Sequence, residues 1–388
     1  MSKVPEIEID LLPPEMAAAA AAPAAGSLAA PAVVAQAAAA PGPIGLAAPA
    51  MATGAGRAPA RGHVETVEIP ARVESAETVE NGEAVENAAS PAEISHLLEK
   101  TSRTFALAIP LLPEPTCHQV GIAYLLFRIA DTFEDAELWP RAAKLEALER
   151  FAALLERPDR EAARRETARW LAAPPCNDAG YLELLAKIPA VLGAFWQLAE
   201  GPRRLIGEHS RRTAEGMARF VGRASEAGEL QLADLEDLRG YCYVVAGIVG
   251  EMLTELFLLG RKALAPVRGF LRGRAARFGE ALQLVNIVKD ALADATHGRR
   301  FLPAESDPAE VIALARQDLK EAASYTLSLQ RAGAPRGIVA FTALPIRLAQ
   351  ATLDLVEQRG PGAKLGRPDV SRIVEALDHA LDEGLPAV

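Results

Sequence analysis

The chain has 388 residues, half of them hydrophobic, with 41 Lys and Arg against 51 Asp and Glu for a formal net charge of −10. That length allows one large domain or two ordinary ones, while the acidic balance excludes nucleic-acid binding through a general basic surface, which needs clustered Lys and Arg. Cys117, Cys176 and Cys242 lack Cys-x-x-Cys spacing, which excludes a disulfide framework or zinc site and fits a reducing, cytoplasmic setting.

From Met16 to Gly56 no charged residue appears. The run is mostly Ala, Pro and Gly, and its prolines break any helix that could span a bilayer. The acidic stretch "EIEIDLLPPE" ahead of it is the opposite of a signal peptide's basic start. Residues 1–91 read as a disordered low-complexity arm without chemistry, because such a composition buries too little apolar area to offset chain entropy.

The pattern changes at "SPAEISHLLEKTSRTFALAIPLLP". Ser90, Pro91 and Glu93 form a helix start, and Ile94, Leu97 and Leu98 recur at helical spacing. From there to residue 384 nearly every segment reads as helix, with breaks at "PEP", "APP", "EGPRR" and "LPAESDP". An all-α domain over residues 92–384 is large for a four-helix bundle, so many helices around a central cavity are expected. The charged C-terminal stretch "EALDHALDEGLPAV" has no hydrophobic anchor pattern, which leaves only transient peripheral membrane contact as an expectation.

Within this region "RIADTFEDAEL" places Asp131 and Asp135 one helical turn apart, with Glu134 beside them. Like charges at that spacing are mildly destabilising and call for compensation. Pairing with Arg128 on a solvated face is the bland solution; a divalent cation held by oxygen ligands is the sharper one. "LQLVNIVKDALADATHGRRFLP" repeats the spacing at Asp290 and Asp294, beside Gln283, Asn286, Lys289, Arg299 and Arg300. Two facing clusters make sense if several Mg²⁺ ions bridge them to an anionic substrate, since each ion takes one or two carboxylates and completes its shell with water and phosphate oxygens. Glu251 and Glu255 form a third such pair with no obvious basic partner and read as solvated surface. The small Ala246, Gly247 and Gly250 fit either an apolar chain lying along the helix or tight helix packing.

In order and separation, "SRTF", "DTFED", "GMARF", "YCYVVAGIVGEMLTELF", "LQLVNIVKDALAD" and "GRRFLP" resemble the squalene and phytoene synthase family over residues 95–380. The resemblance implies the isoprenoid synthase fold. It also implies head-to-head joining of two allylic diphosphates through a cyclopropyl intermediate, with Mg²⁺ held by the two Asp-rich helices. Ser102, Arg103 and Thr104 match the family's diphosphate-contacting positions, and Phe105 a cavity wall. Tyr124 and Arg128 match residues on the first Asp-rich helix, and Asp131, Asp135, Asp290 and Asp294 match metal ligands. Tyr241 matches the tyrosine facing the reacting chains, Val245 and Gly250 the wall, Gln283 and Asn286 polar neighbours of the second cluster, and Arg299 a phosphate-side arginine.

Three positions depart from the family pattern. Lys289 replaces Arg, Phe301 replaces Tyr in many relatives, and Val244 replaces Tyr in several. The first exchanges a bidentate fork for a point charge. "DTFED" and "GMARF" favour two farnesyl diphosphates giving presqualene diphosphate and squalene, the latter with NADPH. "HGRRFLP" keeps a phytoene synthase using geranylgeranyl diphosphate as the runner-up. A catalytically silent assembly factor should have lost metal ligands, and a class I terpene cyclase builds its second metal motif from Asn, Ser or Thr and Glu, so both are weaker readings.

Overall fold

In a computed structural model that describes residues 88–388 apart from 103, 227 and 297, the helical region starts where the sequence puts it. Ser90 caps α1 (Pro91–Thr101) with a reciprocal box: its Oγ accepts from the Glu93 N–H, and the Glu93 carboxylate accepts from the Ser90 N–H. Ile94, Leu97 and Leu98 form the buried face. The expected arm lies outside the described residues as far as residue 87. Ala89 already belongs to the fold, its N–H donating to the Ala190 carbonyl at 2.8 Å. At the other end Ala387 is buried, and its carbonyl accepts from Arg347 Nε at 2.6 Å, so packing continues past residue 384.

The chain continues through α2 (Thr104–Ala108), a 3₁₀ turn (Ile109–Leu111), α3 (Thr116–Glu134), α4 (Arg141–Glu156), α5 (Arg160–Ala172), α6 (Ala179–Ala186), α7 (Ile188–Gln197) and α8 (Glu200–Arg223). After β1 (Leu230–Gln231) come α9 (Leu235–Cys242), a π-helical turn (Tyr243–Gly247) and α10 (Ile248–Leu258). A 3₁₀ turn (Lys262–Val267) and α11 (Arg268–Arg272) lead to α12 (Ala275–Thr296), β2 (Arg299–Arg300), α13 (Pro308–Arg331), α14 (Arg336–Arg359) and α15 (Arg367–Asp382). The all-α expectation holds: among the described residues the one sheet is the parallel pairing of Leu230 with Arg299 and Gln231 with Arg300. "EGPRR" is not a break but the first turn of α8, where a proline costs no helical hydrogen bond.

α3 and α12 are the central helices. Ile122, Leu125, Leu126, Ile129 and Phe133 of α3 are fully buried, and every α12 residue from Phe278 to Lys289 is buried. Most of these side chains are apolar, as enclosure in a core requires, and Glu280, Gln283, Asn286 and Lys289 are the buried polar exceptions on α12. α10 packs on α12 with the backbones in direct approach: a Cβ at Gly250 would lie 2.0 Å from the Ala275 carbonyl oxygen. Tight packing therefore explains that glycine's missing side chain. Likewise a Cβ at Gly216 of "GMARF" would sit 2.4 Å from Val244 Cγ1, which locks α8 against the π turn.

The run Leu235–Leu258 and α14 have the length and hydropathy of membrane spans, yet 78% and 72% of those windows are buried inside the fold. Their apolar surface is used by the core.

Candidate active site

Both acidic pairs fall at the C-terminal ends of the two central helices. A chain of contacts leads to the first from the α1–α2 junction. Tyr124 Oη donates to the Thr101 carbonyl at 3.0 Å and receives Arg128 Nε and Nη2 at 3.1 and 2.6 Å. Arg128 is 1% exposed, and its Nη1 has no hydrogen-bond partner, lying 3.9 Å from Asp131 Oδ2. Ser102 Oγ accepts from the Phe105 N–H at 3.0 Å, while the buried Thr104 hydroxyl has no partner. Arg103 lies outside the described residues.

An apolar cavity opens beside this chain, with about 670 Å³ of free space, part of it open to solvent. Phe105, Phe127, Val245, Val249, Gly250, Leu253, Phe278 and Phe341 are among its walls, and Arg128 and Asp131 are the charged residues in its lining. The cavity thus has an aromatic and aliphatic body with a charged end. Phe105 and Tyr124 are 5.6 Å apart between ring centroids, Phe105 and Phe341 6.4 Å.

A second, charged pocket of about 420 Å³ adjoins the same acidic motif, lined among others by Glu134, Asp135, Arg141, Lys144, Arg299 and Phe301. The β1–β2 pairing delivers Arg299, whose Nη1 pairs with the Asp135 carboxylate and whose Nη2 donates to the Asp135 carbonyl at 3.2 Å. Tyr241 stacks on Phe301 with centroids 4.7 Å apart and meets Phe220 edge-on at 5.2 Å. It is absent from the lining of the apolar cavity, and its phenol and the Glu134 carboxyl are near enough to influence each other's titration. Phe301 supplies that stacking face but no hydroxyl.

On α12, Lys289 is 2% exposed and its Nζ lies 3.0 Å from Asp290 Oδ2. Gln283 and Asn286 are buried, and Gln283 Oε1 and both polar atoms of the Asn286 amide have no hydrogen-bond partner. Leaving such groups unsatisfied costs about 1–3 kcal/mol each, which a ligand would recover.

Burial pushes the Asp131 carboxyl up to about 7 against the attraction of Arg128, and Asp135 adds to the rise. Burial and then Asp290 raise Asp294 to about 7, and the Asp135 charge on the opposite helix contributes as well. Asp290 is raised by burial. Burial also raises Glu134, followed by the charges of Asp135 and Asp131. Tyr241 is held well above the ordinary phenol range by burial and by Glu134. The two clusters therefore share one electrostatic site, with Arg299 acting on Asp135, Glu134 and Asp294 together.

This donor set fits a hard divalent cation: carboxyl oxygens on two helices, of which those of Asp131, Asp290 and Asp294 are made costly to ionise by burial, beside unsatisfied amide oxygens. Among the described residues no three acidic side chains converge on one point. Asp131 and Asp135, and Asp290 and Asp294, would each supply one or two oxygens per ion, leaving room for water and ligand oxygens.

One expectation needs correction, and one choice left open is narrowed. Glu251 and Glu255 are partnered: Glu251 meets Arg212 at 3.0 Å and the Tyr243 hydroxyl, and Glu255 accepts two bonds from Arg272 at 2.6 and 2.7 Å. Gly250 borders the cavity, but the direction its Cβ would take is filled by α12, so its smallness serves packing. Sequence reasoning also left three contributors without a role. Glu134 was visible inside "DTFED". Tyr181, whose ring centroid is 5.8 Å from Arg128 Cζ, and Lys144, whose Nζ donates to the Glu134 carbonyl at 3.0 Å, come from distant segments with no motif to mark them.

The family model described as squalene/phytoene synthase matches residues 98–306. Squalene synthase LSS of Botryococcus braunii is 32% identical over 212 residues, which is 54% of this chain and 42% of that protein. Squalene synthase of Homo sapiens is 32% identical over 209 residues, 54% of this chain and 45% of that protein. The chain thus spans less than half the length of these curated relatives. Among solved structures, the complex of TcSQS with the ligand E5700 superposes with a TM-score of 0.59 at 27% identity, covering 73% of this chain and 84% of that one.

Proposed function

The chain belongs to the squalene/phytoene synthase family, and on that premise we propose that it condenses two prenyl diphosphates head to head, with two farnesyl diphosphates giving presqualene diphosphate and diphosphate, and then, with NADPH as hydride donor and loss of the second diphosphate, squalene. The observation that carries this reading is the joining of two facing acidic clusters, bridged electrostatically by Arg299, to an apolar cavity whose charged end is Arg128 and Asp131. The curated relatives named above are squalene synthases, which supports the farnesyl substrate over the geranylgeranyl one.

The residues divide the work physically. Asp131, Asp135, Asp290 and Asp294 would hold Mg²⁺, which when bound supplies Lewis-acid neutralisation of diphosphate oxygens. Arg128 Nη1, the hydroxyls of Ser102 and Thr104, and the amides of Gln283 and Asn286 offer hydrogen bonds to a polar head group. Lys289 and Arg299 add positive charge where a leaving diphosphate needs it. The wall of Phe105, Phe127, Phe278 and Phe341 keeps an allylic carbocation from water, and aromatic faces stabilise it through the ring quadrupole. Tyr241, a poor acid in this setting, positions a phenol between Glu134 and the stacked Phe301.

Location remains part of the proposal: with Cys117, Cys176 and Cys242 free, we place the protein in the reducing cytoplasm with peripheral contact to a membrane. The test is incubation of the purified protein and Mg²⁺ with farnesyl or geranylgeranyl diphosphate, with and without NADPH, followed by product mass analysis. C30 products support the reading, and only C40 products establish the phytoene synthase alternative. No product from either substrate, in folded protein, overturns both in favour of a silent assembly role.

A further inference from the structure

Between α10 and α12 the sequence "LGRKALAPVRGFLRGRAARFG", residues 259–279, carries six cations and no carboxylate in a chain whose net charge is −10. We propose that the surface formed by Leu259–Arg274 docks the protein on an anionic lipid bilayer. The structure sorts the cations into two kinds. Arg272, Arg274 and Arg277 are held by Glu255, Glu321 and Glu280, at 2.6, 2.7 and 2.8 Å. Lys262 and Arg268 are exposed and have no carboxylate partner among the described residues. Arg261 binds the Leu256 and Phe257 carbonyls and the Thr116 hydroxyl, all neutral groups, so its charge also stays uncompensated.

Large apolar side chains stand among these charges. Leu259 is 45% exposed and Phe270 39%, and Arg274 Cζ sits 3.8 Å over one face of the Phe270 ring, which braces the ring at the surface. Uncompensated cations around exposed apolar groups are complementary to anionic head groups over acyl chains. An acidic soluble partner would match the charges but not Leu259 and Phe270.

The position of the surface agrees. Arg261 contacts Thr116, the first residue of α3, whereas Asp131 lies fifteen residues on along the same helix, about 22 Å away at 1.5 Å per residue. α10, which contributes Val249, Met252 and Leu253 to the cavity, runs directly into Leu259. The docking surface is therefore at the end of the fold remote from the diphosphate clusters. The inference deepens the proposed function, since a hydrocarbon product has to pass into a bilayer, but its test needs no substrate.

The test is flotation of the full chain with vesicles of phosphatidylcholine alone or with about one third phosphatidylglycerol. Selective binding to the anionic vesicles is expected, weakened in 0.5 M salt because the charges are exposed. The Lys262→Glu/Arg268→Glu double variant should bind at least about tenfold more weakly, as each cation near such a surface contributes a factor of about five. Phe270→Ser should weaken the salt-resistant part. If the glutamates disturb folding, Lys262→Gln/Arg268→Gln makes the same comparison. Turnover of farnesyl diphosphate in detergent should stay within twofold of the parent in all variants, so failure of the chemistry and failure of docking are read separately. Equal binding to neutral vesicles, no binding to anionic ones, unchanged binding by the variants, or capture by polyglutamate but not by vesicles would each overturn the proposal.

Discussion

Arg299 clamps Asp135 twice: one guanidinium nitrogen pairs with the carboxylate and another donates to the Asp135 backbone carbonyl at 3.2 Å, so β2 holds the C-terminal end of α3. Both side chains are 23% exposed. The pair is thus partly desolvated, and removing one member strands the other. Arg299→Ala should lower metal-free stability by about 1–3 kcal/mol, with Mg²⁺ restoring part by replacing the lost positive charge, and should cut kcat/KM by at least about a hundredfold. Arg299→Lys should recover more stability than activity, because it keeps the charge but not the fork. Thermal melts with and without Mg²⁺, beside steady-state kinetics, check both halves.

The raised carboxyls predict an unusual pH profile. Asp131 and Asp294 titrate near 7 when folded, against an ordinary value of 3.8. A carboxyl raised by folding binds its proton more tightly in the native state, so it favours the fold while protonated and opposes it once ionised. Metal-free protein should therefore lose stability from these groups as pH rises from about 4 to about 7. Mg²⁺ binds the ionised form and should stabilise more at pH 8 than at pH 5. Asp131→Asn should flatten the metal-free profile, be no less stable than the parent at pH 8, and lose turnover. A parent whose melting temperature is independent of pH between 5 and 8 without metal contradicts this account.

How much of this was legible in the sequence depends on range. Ser90 and Glu93 announce α1 because a capping box is a local device, and the two acidic pairs announce themselves because i, i+4 spacing is fixed by the helix. The partners of Glu251 and Glu255 were not legible, since Arg212 is on another helix and Arg272 seventeen residues further on. The meaning of Gly250 was equally hidden: sequence says that the residue is small, and only the Ala275 carbonyl says why. Tyr241 shows a third limit, because a motif fixes its place in the chain while ring contacts with Phe301 and Phe220, from distant segments, set how its side chain lies.

Asn286 offers a test that separates binding from folding. Its amide is buried with neither polar atom bonded, which is a cost to the empty protein. Asn286→Leu replaces the amide with an apolar group of similar volume and should leave metal-free stability unchanged or raise it by about 1 kcal/mol. If the amide serves a bound diphosphate or its metal shell, kcat/KM should fall by roughly 10- to 150-fold, the range of one or two charge-assisted bonds. A variant that is destabilised yet kinetically normal would mean that the amide belongs to the fold and not to the site.

Lys289 is the departure from the family pattern whose role the structure narrows most. Lying next to Asp290 in sequence, it could have pointed outward, about 100° around the helix. It is instead 2% exposed with its ammonium 3.0 Å from Asp290, so a solvating role is excluded. That contact gives the ammonium two tasks that pull apart on mutation. In the empty protein it balances the Asp290 charge, whose carboxyl burial otherwise raises and Lys289 lowers. In the loaded protein it is a point charge next to the second acidic cluster, where a diphosphate would be held. Lys289→Ala removes both and should cost about 1.5–3 kcal/mol of transition-state stabilisation, a 10- to 150-fold loss in kcat/KM. Lys289→Met keeps the length without the charge, so it should preserve the packing, lose the same activity, and weaken Mg²⁺ less than Asp290→Asn does. Lys289→Arg restores the family residue with a planar fork that engages phosphate oxygens in pairs, and should keep or improve the KM for the prenyl diphosphate. Kinetics within twofold of the parent for both Ala and Met variants, at saturating Mg²⁺, would show that Lys289 only neutralises Asp290 and that the phosphate-side charge of this cluster comes from Arg299 alone.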